Sequence, residues 1–228
     1  MTTTTAQPVA TASAAPSRPH LRETLMDCDD NARRARPPDG LIAVLPPHQL
    51  DAVLTHALEL DEHNAGILRR IVTALGGWPG RAAVADDGCR AALGIALRCD
   101  HDPDFQRMLL AMLNQAAREG DASSAQWARL SDRVQVNAGQ LQTYGTQFRY
   151  GPSGVEPCPI ADPDGLDTRR ASVGLPPHDE QFARLRRRHE PGRGPVPTPA
   201  PGAVFDPGAG VRIPAPRRPG GSPAGAAR

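Results

Sequence analysis

Asp102-Pro103-Asp104-Phe105-Gln106-Arg107-Met108-Leu109-Leu110-Ala111-Met112-Leu113-Asn114-Gln115-Ala116 is the stretch that decides the fold class. Phe105, Met108, Leu109, Met112, Leu113 and Ala116 recur at the spacing of one helix face, the pattern of an amphipathic helix with a buried stripe. Asp102 is placed to cap its start, Pro103 suits the first helical position, and Gly120 ends it. Each large side chain such a stripe buries contributes about 1.5–3 kcal/mol.

The same periodicity extends on both sides. Leu21, Leu25, Cys28 and Ala32 predict a helix over about 20–35, stopped by Pro37-Pro38-Asp39-Gly40. A second helical region begins near Pro47, continues or restarts at Asp61, and stops at Gly76-Gly77 before Trp78-Pro79. Asp86 or Asp87 can cap a helix of about 88–99. Downstream, Ser123 or Ser124 opens a helix with Trp127, Leu130, Val134 and Ala138 on one face, ended by Gly139. Gln140 to Arg149 and Val155 to Ile160 read as two strands around Tyr150-Gly151-Pro152-Ser153-Gly154. A short helix from Asp162-Pro163 to Gly174 and a last helix over about 178–189 complete the pattern. The expected fold is mainly α, a single helical domain with one small β-hairpin that must pack on helices to be stable.

The ends differ in composition. Residues 1–19 are mostly Thr, Ala, Ser and Pro, and residues 191–228 are dominated by Pro and Gly. Neither carries enough large apolar side chains to offset an ordering entropy of about 1–2 kcal/mol per residue, so both are expected to be disordered tails around a domain of residues 20–190. The chain has no lysine: all 26 basic residues are Arg, and the formal net charge is +1. The Arg, Ala, Pro and Gly bias suggests a GC-rich bacterial genome. The charge balance provides no field to recruit nucleic acid or an anionic membrane. No apolar run approaches the ~18 residues of a membrane span, and the start lacks the pattern of a secretory signal, so a cytoplasmic protein is expected. Cys28, Cys89, Cys99 and Cys158 form no CxxC pair and read as buried reduced thiols.

The candidate site lies between Asp132 and Gln147. On its helix Asp132 projects roughly 160° from the apolar centre, which by itself describes a solvated face. Val136 is apolar on that side, however, and the strand that begins just past Gly139 can fold back over it. That would bring Gln142, Tyr144 and Thr146, or on the other strand face Thr143, Gly145 and Gln147, towards Asp132 and Arg133. Asp100-His101-Asp102-Pro103-Asp104 imitates the start of a calcium loop, but Phe105 and Ala111 stand where Gly and Glu are required, so no metal is expected. There is no GxSxG, HExxH or Walker loop, and no cofactor is implied. The Arg184–His189 run reads as a solvated helix end, and Pro214–Pro219 as flexible tail.

Asp61-x-x-Asn64, Gly77-Trp78-Pro79, Asp100-His101-Asp102-Pro103-x-Phe105-Gln106, Asp132-Arg133-Val134, Gln142-x-Tyr144-Gly145-Thr146-Gln147 and Arg169-Arg170-Ala171-x-x-Gly174-Leu175-Pro176 occur in this order. The string resembles a widespread bacterial family known only as a domain of unknown function, over about residues 21–189. The resemblance implies one domain and a site but no reaction. Where that family carries a Gln-His pair, this chain has Leu97-Arg98, and an arginine cannot serve as a general base near neutral pH. Asp30-Asn31-x-x-Arg34 sits where the family has Asp-Gln-x-x-Arg, and Asp30 and Arg34 can pair along a helix.

Two functions are compatible with these residues. One is a binding module for a small polar molecule or peptide, in which Arg98, Asp100, Gln106, Gln142, Thr146 and Gln147 contact the ligand and Asp132 orients Arg133. The other is a hydrolase or proton-transfer enzyme with Asp132, Arg133 and Tyr144 as catalytic residues and Asp132 or Asp100 as base, inactive here if the family histidine is required. Oligomeric state and ligand identity are not encoded in any motif.

Overall fold

The computed structural model describes residues 15–36, 45–151 and 154–189. Among these residues, seven helices and one hairpin follow each other: α1 Pro19–Arg34, α2 Pro47–Leu75, α3 Arg81–Leu97, α4 Pro103–Arg118, α5 Ser124–Asn137, β1 Phe148–Gly151, β2 Gly154–Pro157, α6 Leu166–Ser172 and α7 His178–His189. The fold is mainly α with one two-stranded antiparallel hairpin, as the periodicities predict. The expected tails and the Pro37–Gly40 stop lie outside the described residues, except that the chain is already fixed at residues 17 and 18. There the Ser17 and Arg18 amides donate to the Ala82 and Ala83 carbonyls.

The middle of the molecule is α3. Ala91, Ala92, Leu93, Gly94, Ile95 and Ala96 are all buried, so the C-terminal half of this helix has no solvated face and is enclosed by neighbours, while Ala82, Asp86 and Arg90 line an exposed side of its first half. It packs against α1, α2, α4 and α5. Its small residues let those helices approach closely. Helix α3 starts earlier than the Asp86/Asp87 cap suggests: a first turn runs from Arg81 and the helical path breaks at Ala85, with φ 58°. Neither acid caps it: past the break Asp87 Oδ1 accepts from the next amide, that of Gly88, at 2.8 Å, which is not the N2 or N3 bond of a capping residue.

Helix α2 is one continuous 29-residue rod with no restart at Asp61. It ends in a left-handed Gly76 at φ 68°, with the Gly77 amide bonded back to Val72, a glycine C-cap. Helix α4 is capped as expected, by Asp102 accepting from the Phe105 amide at 3.0 Å. Its stripe is narrower than expected: Phe105, Leu109, Leu113 and Ala116 are buried, while Met108 is 38% exposed. Arg69 of α2 lies 3.9 Å over the Phe105 ring and binds Asp102 at 2.6 Å, fastening the two helices at the α4 start. A capping box at Ser123 and Gln126 opens α5. All four cysteines are free and buried. Burial pushes the Cys28 thiol up to about 11 and those of Cys89 and Cys99 to about 12.

One expectation is corrected. Gln140 to Gln147 is not strand. The hairpin pairs Phe148 with Pro157 and Arg149 with Glu156, and the preceding residues form a loop with a single parallel bridge between Gln142 and Ile160. The reason lies in the side chains that capture this loop's amides.

Candidate functional site

Asp132 is fully buried. Its Oδ1 accepts from the amides of Thr143 and Tyr144, both at 2.9 Å, and its Oδ2 accepts from the Thr146 amide at 2.9 Å and the Thr146 hydroxyl at 2.8 Å. All four acceptor directions of the carboxylate are therefore filled by one loop. On the same helix, Gln135 exchanges hydrogen bonds with Thr143. Gln142 is also fully buried. Its amide nitrogen donates to the carbonyls of Gln147 and Cys158, and its oxygen accepts from the Gln147 amide. Gln147 in turn donates to the Arg129 carbonyl and to Thr146 Oγ1. A strand would have spent these amides on a neighbouring strand; here carboxylate and amide side chains take them, and the chain curls.

The other edge of the loop is held by arginines. Arg170, fully buried on α6, donates to the carbonyls of Tyr144 at 2.6 Å and Gly145 at 3.3 Å, to the Pro176 carbonyl at 2.7 Å and to Gln181 Oε1 at 2.6 Å. Arg169 donates to the Thr143 carbonyl at 3.1 Å. Asp132 thus binds the loop's N–H groups and the two arginines its C=O groups. Gly145 is required between them: its φ is 61°, and a Cβ there would lie 2.8 Å from the His178 ring. The Tyr144 ring meets Trp127 edge-on at 5.8 Å. Burial, followed by the charge of Asp132, pushes its phenol above the ordinary value.

Arg133, the next residue, turns the other way. The expected Asp132–Arg133 pairing is absent: Arg133 binds Asp100 through both Nε, at 2.9 Å, and Nη2. Asp100 also accepts from Asn137 at 2.7 Å and Gln106 at 3.2 Å. Asn137 donates to Gln106 Oε1 at 2.9 Å, and Gln106 reaches the Ala96 carbonyl at 3.0 Å. Arg133 and Asp100 keep 30% and 40% of their side chains exposed, so this network forms a rim open to solvent. Burial pushes the Asp100 carboxyl up, but the hydrogen bonds of Arg133 and Asn137 and the Arg133 charge outweigh it and hold the group below the ordinary carboxylate range. The other two acids of the Asp100–Asp104 run are used separately: Asp102 caps α4, and Asp104 pairs with Arg107.

Arg98 enters a third cluster. Its Nη2 donates to Asp29 Oδ1 at 2.6 Å, and its Nε lies 3.2 Å from Asp61 Oδ1. Asp29 and Asp61 are 7% and 4% exposed. Arg33 binds the second oxygen of Asp29 at 2.8 Å, and Arg36 that of Asp61. Asn64 ties α2 to α1 by donating to the Cys28 carbonyl at 3.0 Å. The helical pair expected at Asp30 and Arg34 is a 4.0 Å surface contact; one residue earlier the buried Asp29 pairs with the exposed Arg33.

Asp29, Asp61 and Arg170 have structural prominence that the motif reading did not give them. A signal existed for the two acids: Asp29 falls among Leu25, Cys28 and Ala32, and Asp61 among Ala57, Ala65 and Leu68, inside apolar stripes where an acid needs a partner. No local pattern separates Arg170 from Arg169.

A sequence model of the family described as a family of unknown function, DUF6624, matches residues 40–189. This chain belongs to that family. No curated protein and no solved structure matches it. The DUF6624 stretch includes Asp61, Arg98, the Asp100–Arg133 rim, Asp132 with its loop, and Arg170. Asp29 lies upstream of the match, so α1 supplies the Asp61–Arg98 cluster from outside it.

Proposed function

We propose that this protein is a binding module for a small polar molecule or peptide. Recognition occurs at the Asp100–Arg133 rim, and the loop around Tyr144 and Gly145 is its scaffold. The observation that carries this reading is the division of labour between adjacent residues. Asp132 has every acceptor position filled from inside, whereas Arg133 and Asp100 offer a donor fork and a carboxylate at a half-exposed edge. Asn137 and Gln106 extend the rim with amide groups of both polarities. A ligand carrying both donors and acceptors can exchange into such a network without leaving charge unpaired.

The hydrolase or proton-transfer alternative requires a base with a lone pair to spare and a proton affinity near working pH. Asp132 lacks the former. Asp100 is held on the acidic side by Arg133, which weighs against the latter. Gln142, Thr146 and Gln147 are committed to the scaffold loop, and Arg98 serves the neighbouring cluster. The test is a thermal-shift screen of free amino acids, dicarboxylates and short peptides against the wild type and Arg133→Gln. A ligand of the native state raises its melting temperature in a saturable way. We expect at least one compound to do so with the wild type and to lose its effect in Arg133→Gln. A screen with no saturable shift, or a shift that survives the substitution, would contradict the proposal.

A further inference from the structure

We propose that Asp29 and Asp61 form a guanidinium-binding site, which this chain fills with its own Arg98. The two carboxylates come from different helices, α1 and α2, and meet at the C-terminal end of a third, α3. A helix C-terminus favours a cation there. The hollow that admits Asp29 is built into α3: a Cβ on Gly94 would lie 2.2 Å from Asp29 Oδ1. The outward oxygens of both acids are held by Arg33 and Arg36, so their inward oxygens keep their aim whether or not Arg98 is present.

The fit of Arg98 is incomplete. It makes one well-formed bond to the pair, through Nη2 to Asp29. Its Nε and Asp61 Oδ1 face each other at 3.2 Å, within ion-pair reach but without hydrogen-bond geometry; both are shut off from solvent, and neither has a hydrogen bond among the described residues. Buried polar groups of this kind are rarely left unpaired. The tether to α3 fixes the angle of the fork; a free guanidinium can rotate to satisfy both acids. A flat, weakly hydrated fork that presents several donors in one plane suits two carboxylates better than a compact ammonium. A hard divalent cation needs six or more oxygens, and among the described residues no group of three His, Cys, Asp or Glu is placed to hold a metal. The chemistry the pair recognises is therefore that of a guanidinium, which in the wild type Arg98 supplies.

The test is chemical rescue of Arg98→Ala, followed by thermal shift. Methylguanidinium chloride is added at low millimolar concentration, far below the denaturing range, beside equal ionic strengths of sodium, tetramethylammonium and magnesium chlorides. Arg98→Ala is expected to melt several degrees below the wild type. Methylguanidinium should raise its melting temperature saturably, leave the wild type unchanged, and fail on Arg98→Ala/Asp61→Asn. Equal shifts with the control salts, an equal shift in the wild type, or no saturable shift would overturn the proposal. If Arg98→Ala does not fold in buffer, Arg98→Gln carries the same readout. If neither folds, both are refolded with methylguanidinium or with sodium chloride. Recovery only with methylguanidinium supports the site, and equal or no recovery overturns it.

Discussion

Asp132 and Arg133 are neighbours in sequence and opposites in environment. The apolar moment of α5 points through Leu130 to the core, which leaves Asp132 looking solvated. The helix has a second buried side, facing the loop, and that side is polar: Asp132, Gln135 and the Arg129 carbonyl all bind the loop. A periodicity built on apolar residues cannot see a face buried through hydrogen bonds. The convergence of Asp132 with Tyr144 and Thr146 was legible because Gly139 leaves the chain nowhere else to turn. Arg133's actual partner, 33 positions away, was not. Another residue-scale pair gives a pH test. The hydrogen bond from Arg22 pulls the Asp87 carboxyl down to about 2, against about 3.9 in an unfolded chain. A depressed folded pKa means the stabilisation is full above about pH 4 and is lost as pH falls towards 2. The stability gap between wild type and Asp87→Asn should therefore shrink over that window. A gap that stays constant from pH 6 to 2 would show that the ion pair contributes nothing through ionisation.

At the scale of the element, the helices are legible in the sequence because their signals are local. Asp102-Pro103 starts α4 where capping chemistry demands, and His178 opens α7 after two prolines. The loop 140–147 reads as strand in the sequence because its alternation of residue types carries no record of which side chains will take its amides. Likewise, the earlier start of α3 depends on Ala85 adopting a left-handed φ, which no alanine advertises. The buried stripe of α4 yields a paired prediction. Leu109→Ala should cost about 2–5 kcal/mol in urea denaturation, the range for a buried leucine. Met108→Ala, on the open flank of the same helix, should cost less than about 1 kcal/mol. Similar losses at both sites would mean that the face has been assigned wrongly.

For the whole molecule, α3 is the shared wall: its buried flanks receive α1, α2, α4 and α5, and its C-terminal end carries Arg98 and Asp100 into two separate polar clusters. That arrangement could not be read from motifs, because each cluster joins helices distant in sequence. The composition of the ends leads to an expectation at this scale. A fragment of residues 15–189, which keeps the Ser17 and Arg18 bonds to α3, should melt cooperatively within a few degrees of the full chain. A large loss of helicity on truncation would assign the ends a packing role. One short motif thus divides into an internal clamp at Asp132 and an external rim at Arg133. Equilibrium urea denaturation of Asp132→Asn beside Arg133→Gln tests it most directly. Replacing a carboxylate oxygen that accepts two buried bonds with an amide should cost about 3 kcal/mol or more. Breaking the solvent-exposed Arg133–Asp100 pair should cost no more than about 1 kcal/mol. An Asp132→Asn protein as stable as the wild type, or an Arg133→Gln protein that is the more damaged of the two, would contradict the account.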